Sequence, residues 1–155
     1  MQDRARSFAV SAHGDQIYGE DQPYERHLEA VVEVIRSCTD DPELVSAAWL
    51  HDTLEDTATA FAELADEFSP RVANLVWAVT AEGDVRTEKM AAIYRKIEAC
   101  PDAALVKLAD RIANVEAAPV GSRHRQRYAG ERAAFEKAIR PFVPASAWDR
   151  LDRAY

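Results

Sequence analysis

Apolar residues recur three and four positions apart along almost the whole chain and nowhere alternate between turn signals, so the pattern favours helices and offers no candidate sheet. Helix starts are clearly punctuated. Asp41-Pro42-Glu43 supplies an N-cap, a first-turn proline and an acid suited to the helix dipole; Ser69-Pro70 and Pro101 open further segments. The inward stripes include Leu28, Val31 and Ile35, then Val72, Leu75 and Val79, then Met90, Ile93 and Ile97, and finally Leu105, Leu108, Ile112 and Val115. Trp49, Trp77, Phe61 and Phe68 fall on such stripes and read as packing, and a last helix from about Ala145 buries Trp148 and Leu151. The expected architecture is all-α: one compact bundle of roughly seven to nine helices over the whole chain, 1–155.

Charge narrows the partners. Acids outnumber Lys and Arg by 27 to 19, which argues against a general nucleic-acid or anionic-membrane binder and leaves room for a local basic pocket. No apolar run is long enough to span a bilayer, and Met1–Arg6 leads into no signal-like apolar stretch, so a cytoplasmic protein with a small-molecule partner is expected. Cys38 and Cys100 lack Cys-x-x-Cys spacing and read as reduced structural thiols.

Chemistry concentrates in Ala47–Thr57, where His51, Asp52, Glu55 and Asp56 interrupt an otherwise core-like helix. Side chains four apart share a helix face, so a continuous helix would stack His51 on Glu55 and Asp52 on Asp56. Several carboxylates in apolar surroundings cost several kcal/mol each unless a cation compensates them. Asp110 interrupts a second apolar helix, with Asn114 one turn on, and His27 sits beside the stripe of a third. Three segments are thus able to meet at one ion. Two imidazoles and two carboxylates form a borderline-to-hard set with open positions, which favours one Mn²⁺, Fe²⁺ or similar divalent ion ahead of zinc. Glu55 and Asp56 are placed to orient or deprotonate a water, in either order, with coupled titrations if both approach the ion. Arg86, Lys89 and Lys96 line one helix as candidate anion contacts, and Arg123, Arg125, Arg127 and Tyr128 open another. His13 reads as a wall or core histidine and His124 as a surface one.

His27, His51-Asp52 and Asp110 resemble, in order and approximate spacing, the H…HD…D pattern of the HD-domain phosphohydrolases. Ala12-His13, Gln16, Pro23-Tyr24, Leu50–Thr57 and Lys107–Asn114 are more narrowly similar to the hydrolase domain of RelA/SpoT proteins and their small single-domain relatives, from about Phe8 to Ala117. The resemblance implies a Mn²⁺-dependent hydrolase that removes the 3′-pyrophosphate from guanosine tetra- or pentaphosphate. It implies His27, His51, Asp52 and Asp110 as ligands, Glu55 and Asp56 as catalytic acids, and Asn114 as a contact near ribose and phosphate. Where long members carry an Arg-Lys pair this chain has Tyr18-Gly19, so Tyr18 is the residue left to stack on a base, and a threonine is replaced by Ala117. An HD phosphohydrolase for another nucleotide or phosphate ester is the alternative. A catalytically silent sensor is a third reading, disfavoured because every ligand and acid position is filled.

Overall fold

The helix starts are built as their sequence dictates. In this computed structural model, which describes residues Met1–Tyr155, the Asp41 carboxylate accepts the Glu43 N–H at 2.9 Å and the Ser69 hydroxyl accepts the Val72 N–H at 3.0 Å. These caps open α3 (Pro42–Leu50) and α6 (Pro70–Val79). Before them come α1 (Gln2–His13) and α2 (Tyr24–Cys38); after them α7 (Arg86–Ala99), α8 (Ala103–Ala117), α9 (Arg123–Ile139) and α10 (Ala145–Ala154). Two short pieces, α4 (Thr53–Asp56) and α5 (Phe61–Glu67), join α3 to α6, and a 3₁₀ turn over Arg140–Phe142 joins the last two helices. No helix is long and apolar enough to cross a membrane.

α8 is the axis of the core. It packs against α2, α3, α6, α9 and α10, and Leu108, Ile112 and Val115 on its stripe have no exposed surface. Leu28, Ile35, Leu50 and Leu75 meet it from neighbouring helices. Burial on this scale stabilises each Leu or Ile by about 1.5–3 kcal/mol. Arg71 ties the far end together, reaching Asp41 at 2.8 Å, Glu43 at 3.2 Å and Asp102 at 3.0 Å.

Four expectations are corrected. A two-residue antiparallel ladder pairs β1 (Ile17–Tyr18) with β2 (Gln22–Pro23), too short to show alternation and turned through Gly19 at φ 66°. Phe61 and Trp77 are 41% and 40% exposed, because the first opens a short helix and the second lies under the Lys96 ammonium, 3.9 Å from its ring, rather than under another helix. The helix carrying His51 is not continuous: it breaks after Leu50, where the Thr53 hydroxyl takes the Leu50 carbonyl at 2.7 Å and Asp52 adopts φ −102°, ψ 0°. Counted with the one-turn α4 there are ten α-helical segments, so the break adds one to the expected range.

One buried charge marks the α8–α9 contact. The Arg111 side chain, 2% exposed, lies between the rings of Tyr128 (4.7 Å) and Phe135 (4.3 Å), with Glu131 3.0 Å from Nη2. That approach lacks good N–H geometry and leaves both terminal nitrogens without a well-formed hydrogen bond. Glu131→Gln removes the only carboxylate against a buried guanidinium and should destabilise the fold by about 3 kcal/mol, read from the denaturant midpoint at unchanged m-value.

Candidate metal centre

Three segments bring four donors into one cluster: His27 from the first turn of α2, His51 and Asp52 from the break after α3, and Asp110 from the middle of α8. The two Nε2 atoms face each other at 3.3 Å. His27 Nε2 lies 3.7 Å from Asp52 Oδ2 and 3.2 Å from Asp110 Oδ1; His51 Nε2 lies 3.0 Å and 3.5 Å from the same atoms. An ion bonded at about 2.1–2.2 Å would hold adjacent donors about 3.0–3.6 Å apart. His27, His51 and Asp52 offer donors all within 4.8 Å of one another, a possible divalent-cation site, and Asp110 Oδ1 borders it from the side of the two imidazoles. His51 Nδ1–H donates to the Ala48 carbonyl at 2.8 Å, which leaves its Nε2 lone pair facing the cluster. The helix break serves the same end, because it turns Asp52 toward His27 instead of along the helix.

The acids are held in their charged form. Burial alone would raise Asp52, but the adjoining His51 outweighs it and holds the carboxyl at about 2. Asp110 is likewise driven upward by burial and brought well below the usual range by Lys107, at 2.9 Å, and by the imidazoles. The Asn114 amide donates to Asp110 Oδ1 at 2.8 Å and accepts the Tyr18 hydroxyl at 2.7 Å. The Tyr24 hydroxyl donates to Asp52, and burial together with that carboxylate pushes its own ionisation far up, so it stays a donor.

Above the cluster opens a polar cavity of about 160 Å³, lined by Glu55, Asp56, Arg86, Lys107 and Asn114 among others. Glu55 accepts the Ala81 N–H at 2.7 Å, and burial of its carboxyl end raises it above the ordinary glutamate value. Asp56 turns the other way and accepts from Gln16 at 3.2 Å. Asp52 and Asp56 stay one turn apart on the same side, with the Asp56 N–H on the Asp52 carbonyl at 2.9 Å and the Tyr24 hydroxyl beside both carboxylates, while Glu55 is drawn away to the Ala81 N–H. A more apolar cleft of about 310 Å³ adjoins through Asn114 and Tyr128 and is lined by Ile17, Tyr18, Ala117 and Pro119. The Tyr18 ring stacks on His27 at 4.7 Å.

The family pattern for an HD domain matches residues 5–134. The chain belongs to the HD domain family. Among its relatives, a guanosine-3′,5′-bis(diphosphate) 3′-pyrophosphohydrolase of Aquifex aeolicus is 39% identical over 118 residues, 73% of this chain and 17% of that protein. Guanosine-3′,5′-bis(diphosphate) 3′-pyrophosphohydrolase MESH1 of Danio rerio is 35% identical over 117 residues, 70% of this chain and 64% of that protein. This HD domain thus spans less than two-thirds of either relative. The solved structure of a metazoan ortholog of SpoT that hydrolyzes ppGpp superposes with a TM-score of 0.83 over 99% of this chain and 92% of that one. At 24% identity the last likeness is one of fold. HD domains bind divalent metal, and His27, His51 and Asp52 bring donors within 4.8 Å of one another as a possible site.

Other candidates in the HD domain fall less centrally. Arg86 reaches the polar cavity, anchored by Glu131 at 2.8 and 3.1 Å. Lys89, one turn on, lines neither cleft. Lys96 is committed elsewhere, to Glu82 and the Thr80 carbonyl. Arg125 clamps the Val115 and Ala154 carbonyls at 2.6 and 2.7 Å and is no free anion contact. Tyr128 is buried and walls both clefts; His124 is exposed. Glu131 and the Ala81 N–H were not legible as site groups, and Tyr24 stood in the motif without its bond to Asp52, since each acquires its role only through a partner distant in the chain.

The cluster makes metal-free stability depend on pH. Burial lowers His51, yet Asp52 and Asp110 outweigh it and raise it well above 6.5. A raised histidine contributes stability that is fully present below its unfolded value and lost as pH rises through the folded one. Asp52, depressed from 3.8 to about 2, contributes above its unfolded value and loses that as pH falls through the folded one. Chelator-treated protein should therefore show a Tm that falls on the alkaline side of neutrality, and a saturating divalent cation should remove the fall in a pH series of melts.

Proposed function

We propose that this HD domain is a metal-dependent pyrophosphohydrolase that removes the 3′-pyrophosphate of guanosine 3′,5′-bis(diphosphate) by attack of water. One observation carries the reading: the His27 and His51 Nε2 atoms lie 3.0–3.7 Å from Asp52 and Asp110, beside a cavity lined by Glu55, Asp56, Arg86 and Lys107. The relatives named for that activity support the substrate. These four residues would hold one divalent ion, Mn²⁺ by preference, which supplies Lewis-acid activation of water and neutralises charge on phosphate.

The remaining steps belong to the chain. Asp56 takes a proton from the attacking water as its oxygen bonds to the 3′-linked phosphorus. The bond from that phosphorus to the ribose 3′ oxygen breaks, and Glu55, raised by burial and so the better donor, protonates the departing oxygen. Arg86 and Lys107 face the pyrophosphate, with Lys89 further out; Asn114 contacts the ribose; Tyr18 and Tyr128 flank the base in the apolar cleft. The products are GDP and pyrophosphate. A small-molecule nucleotide is the partner, and the acidic balance supports neither nucleic acid nor membrane in that place.

A second reading, hydrolysis of another nucleotide or phosphate ester, draws on Tyr18 and Ala117, which make the base cleft less polar than the family pattern. Incubation with Mn²⁺ and guanosine tetraphosphate, with chromatography of the products, separates the two. GDP with pyrophosphate selects the first, orthophosphate from ordinary nucleotides selects the second, and no product from any of them rejects both.

A further inference from the structure

The proposed chemistry uses Asp56 without saying what aims it. One side-chain donor is left to hold it: Oδ2 accepts the Gln16 amide at 3.2 Å, while the Tyr24 hydroxyl, 3.5 Å away, gives its one proton to Asp52. Oδ1 makes no such bond. Gln16 is itself fixed at both ends of its backbone, its N–H donating to the His13 carbonyl at 3.0 Å and its carbonyl accepting the Tyr24 N–H at 3.1 Å. Its side chain then meets a buried imidazole, with Oε1 2.8 Å from His13 Nδ1.

Only one arrangement of protons satisfies this chain. If the Gln16 amide were reversed, its oxygen would face the Asp56 carboxylate, acceptor against acceptor. With His13 carrying its proton on Nδ1, the imidazole donates to Oε1 and the amide NH₂ is obliged to face Asp56. The His13 ring is buried and packs against Tyr24 at 4.5 Å, which holds it beside the Gln16 amide. A hydrogen bond to an ionised carboxylate is roughly twice as strong as a neutral one, so this amide is a firm anchor.

We propose that Gln16, turned by His13, is a positioning residue that holds Asp56 by Oδ2 and leaves Oδ1 for the proton of the attacking water. The inference rests on the reading of Asp56 as proton acceptor. It gives a use to His13, which makes no hydrogen bond to the four-donor cluster, and it links α1, the turn before β1 and α4.

The test compares Gln16→Met, His13→Phe and the double variant by kcat, KM and Mn²⁺ affinity. Gln16→Met keeps the length and loses the donor. It should lower kcat by about 10-fold, the scale of supporting hydrogen-bond partners, with KM and Mn²⁺ affinity within about 2-fold of the parent. His13→Phe should cost a similar factor, and the double variant no more than Gln16→Met alone, because His13 acts only through the amide. An unaltered kcat in Gln16→Met, or costs that multiply in the double variant, would overturn the proposal. A second measurement needs no turnover: the ¹H–¹⁵N resonance of the Gln16 side-chain amide should shift in both Asp56→Asn and His13→Phe. Indifference of that resonance to Asp56→Asn overturns the inference whatever the enzyme does. A parent protein that hydrolyses no phosphate ester while the resonance responds removes the catalytic reading and leaves the geometry standing.

Discussion

Asp110→Ala should leave the protein without measurable divalent-cation binding in calorimetry and without detectable pyrophosphate release. The side chain does three things at once. Its Oδ1 closes the cluster from α8, 3.2 Å from His27 and 3.5 Å from His51; it neutralises Lys107 at 2.9 Å; and it orients Asn114 at 2.8 Å. Alanine leaves a lysine ammonium beside the ion's place with no carboxylate to offset it, so the electrostatics turn against any cation as a donor is lost. An ion that supplies several kcal/mol of charge stabilisation corresponds to about three orders of magnitude in rate. Circular dichroism should still show a folded helical protein, because the stripe of Leu108, Ile112 and Val115 is untouched. Retained metal stoichiometry in this variant would sink the four-donor site.

Glu55→Gln separates chemistry from metal. The glutamine carbonyl is able to keep the Ala81 N–H, so the wall of the cavity stays in place, while the carboxyl proposed as proton donor is lost. Turnover should fall about 10²-fold or more, the usual worth of a positioned acid or base, with the metal content by mass spectrometry unchanged. The sign of the pH dependence is also set. A donor whose value is raised by burial works below that value and fails above it, so the alkaline limb of kcat that Glu55 sets in the parent should disappear in the variant. Wild-type turnover in Glu55→Gln would assign no proton transfer to it.

Much of the fold was legible locally. Asp41, Ser69 and their following prolines cap the helices they were expected to cap, and the stripes of α2, α6, α7 and α8 are buried as their spacing required. Periodicity failed where a side chain finds cover other than a helix, as Trp77 does under Lys96. It failed also at His51-Asp52, where a threonine hydroxyl competes for a backbone carbonyl and no propensity scale registers the break. The chemistry-bearing residue types stood out because acids and imidazoles inside apolar stripes are costly unless something compensates them.

What the sequence determined by itself was therefore the all-α class and the set of residues with donors to offer, since both follow from periodicity and from the price of burying charge. Which donors meet, which oxygen of each carboxylate is held, and that Glu55 is tied to the Ala81 N–H while Asp56 is tied to Gln16 were decided only by tertiary structure. Those facts depend on how α2, the α3–α4 break and α8 pack together, and a distance across packed helices has no signature in either strand of sequence that contributes to it.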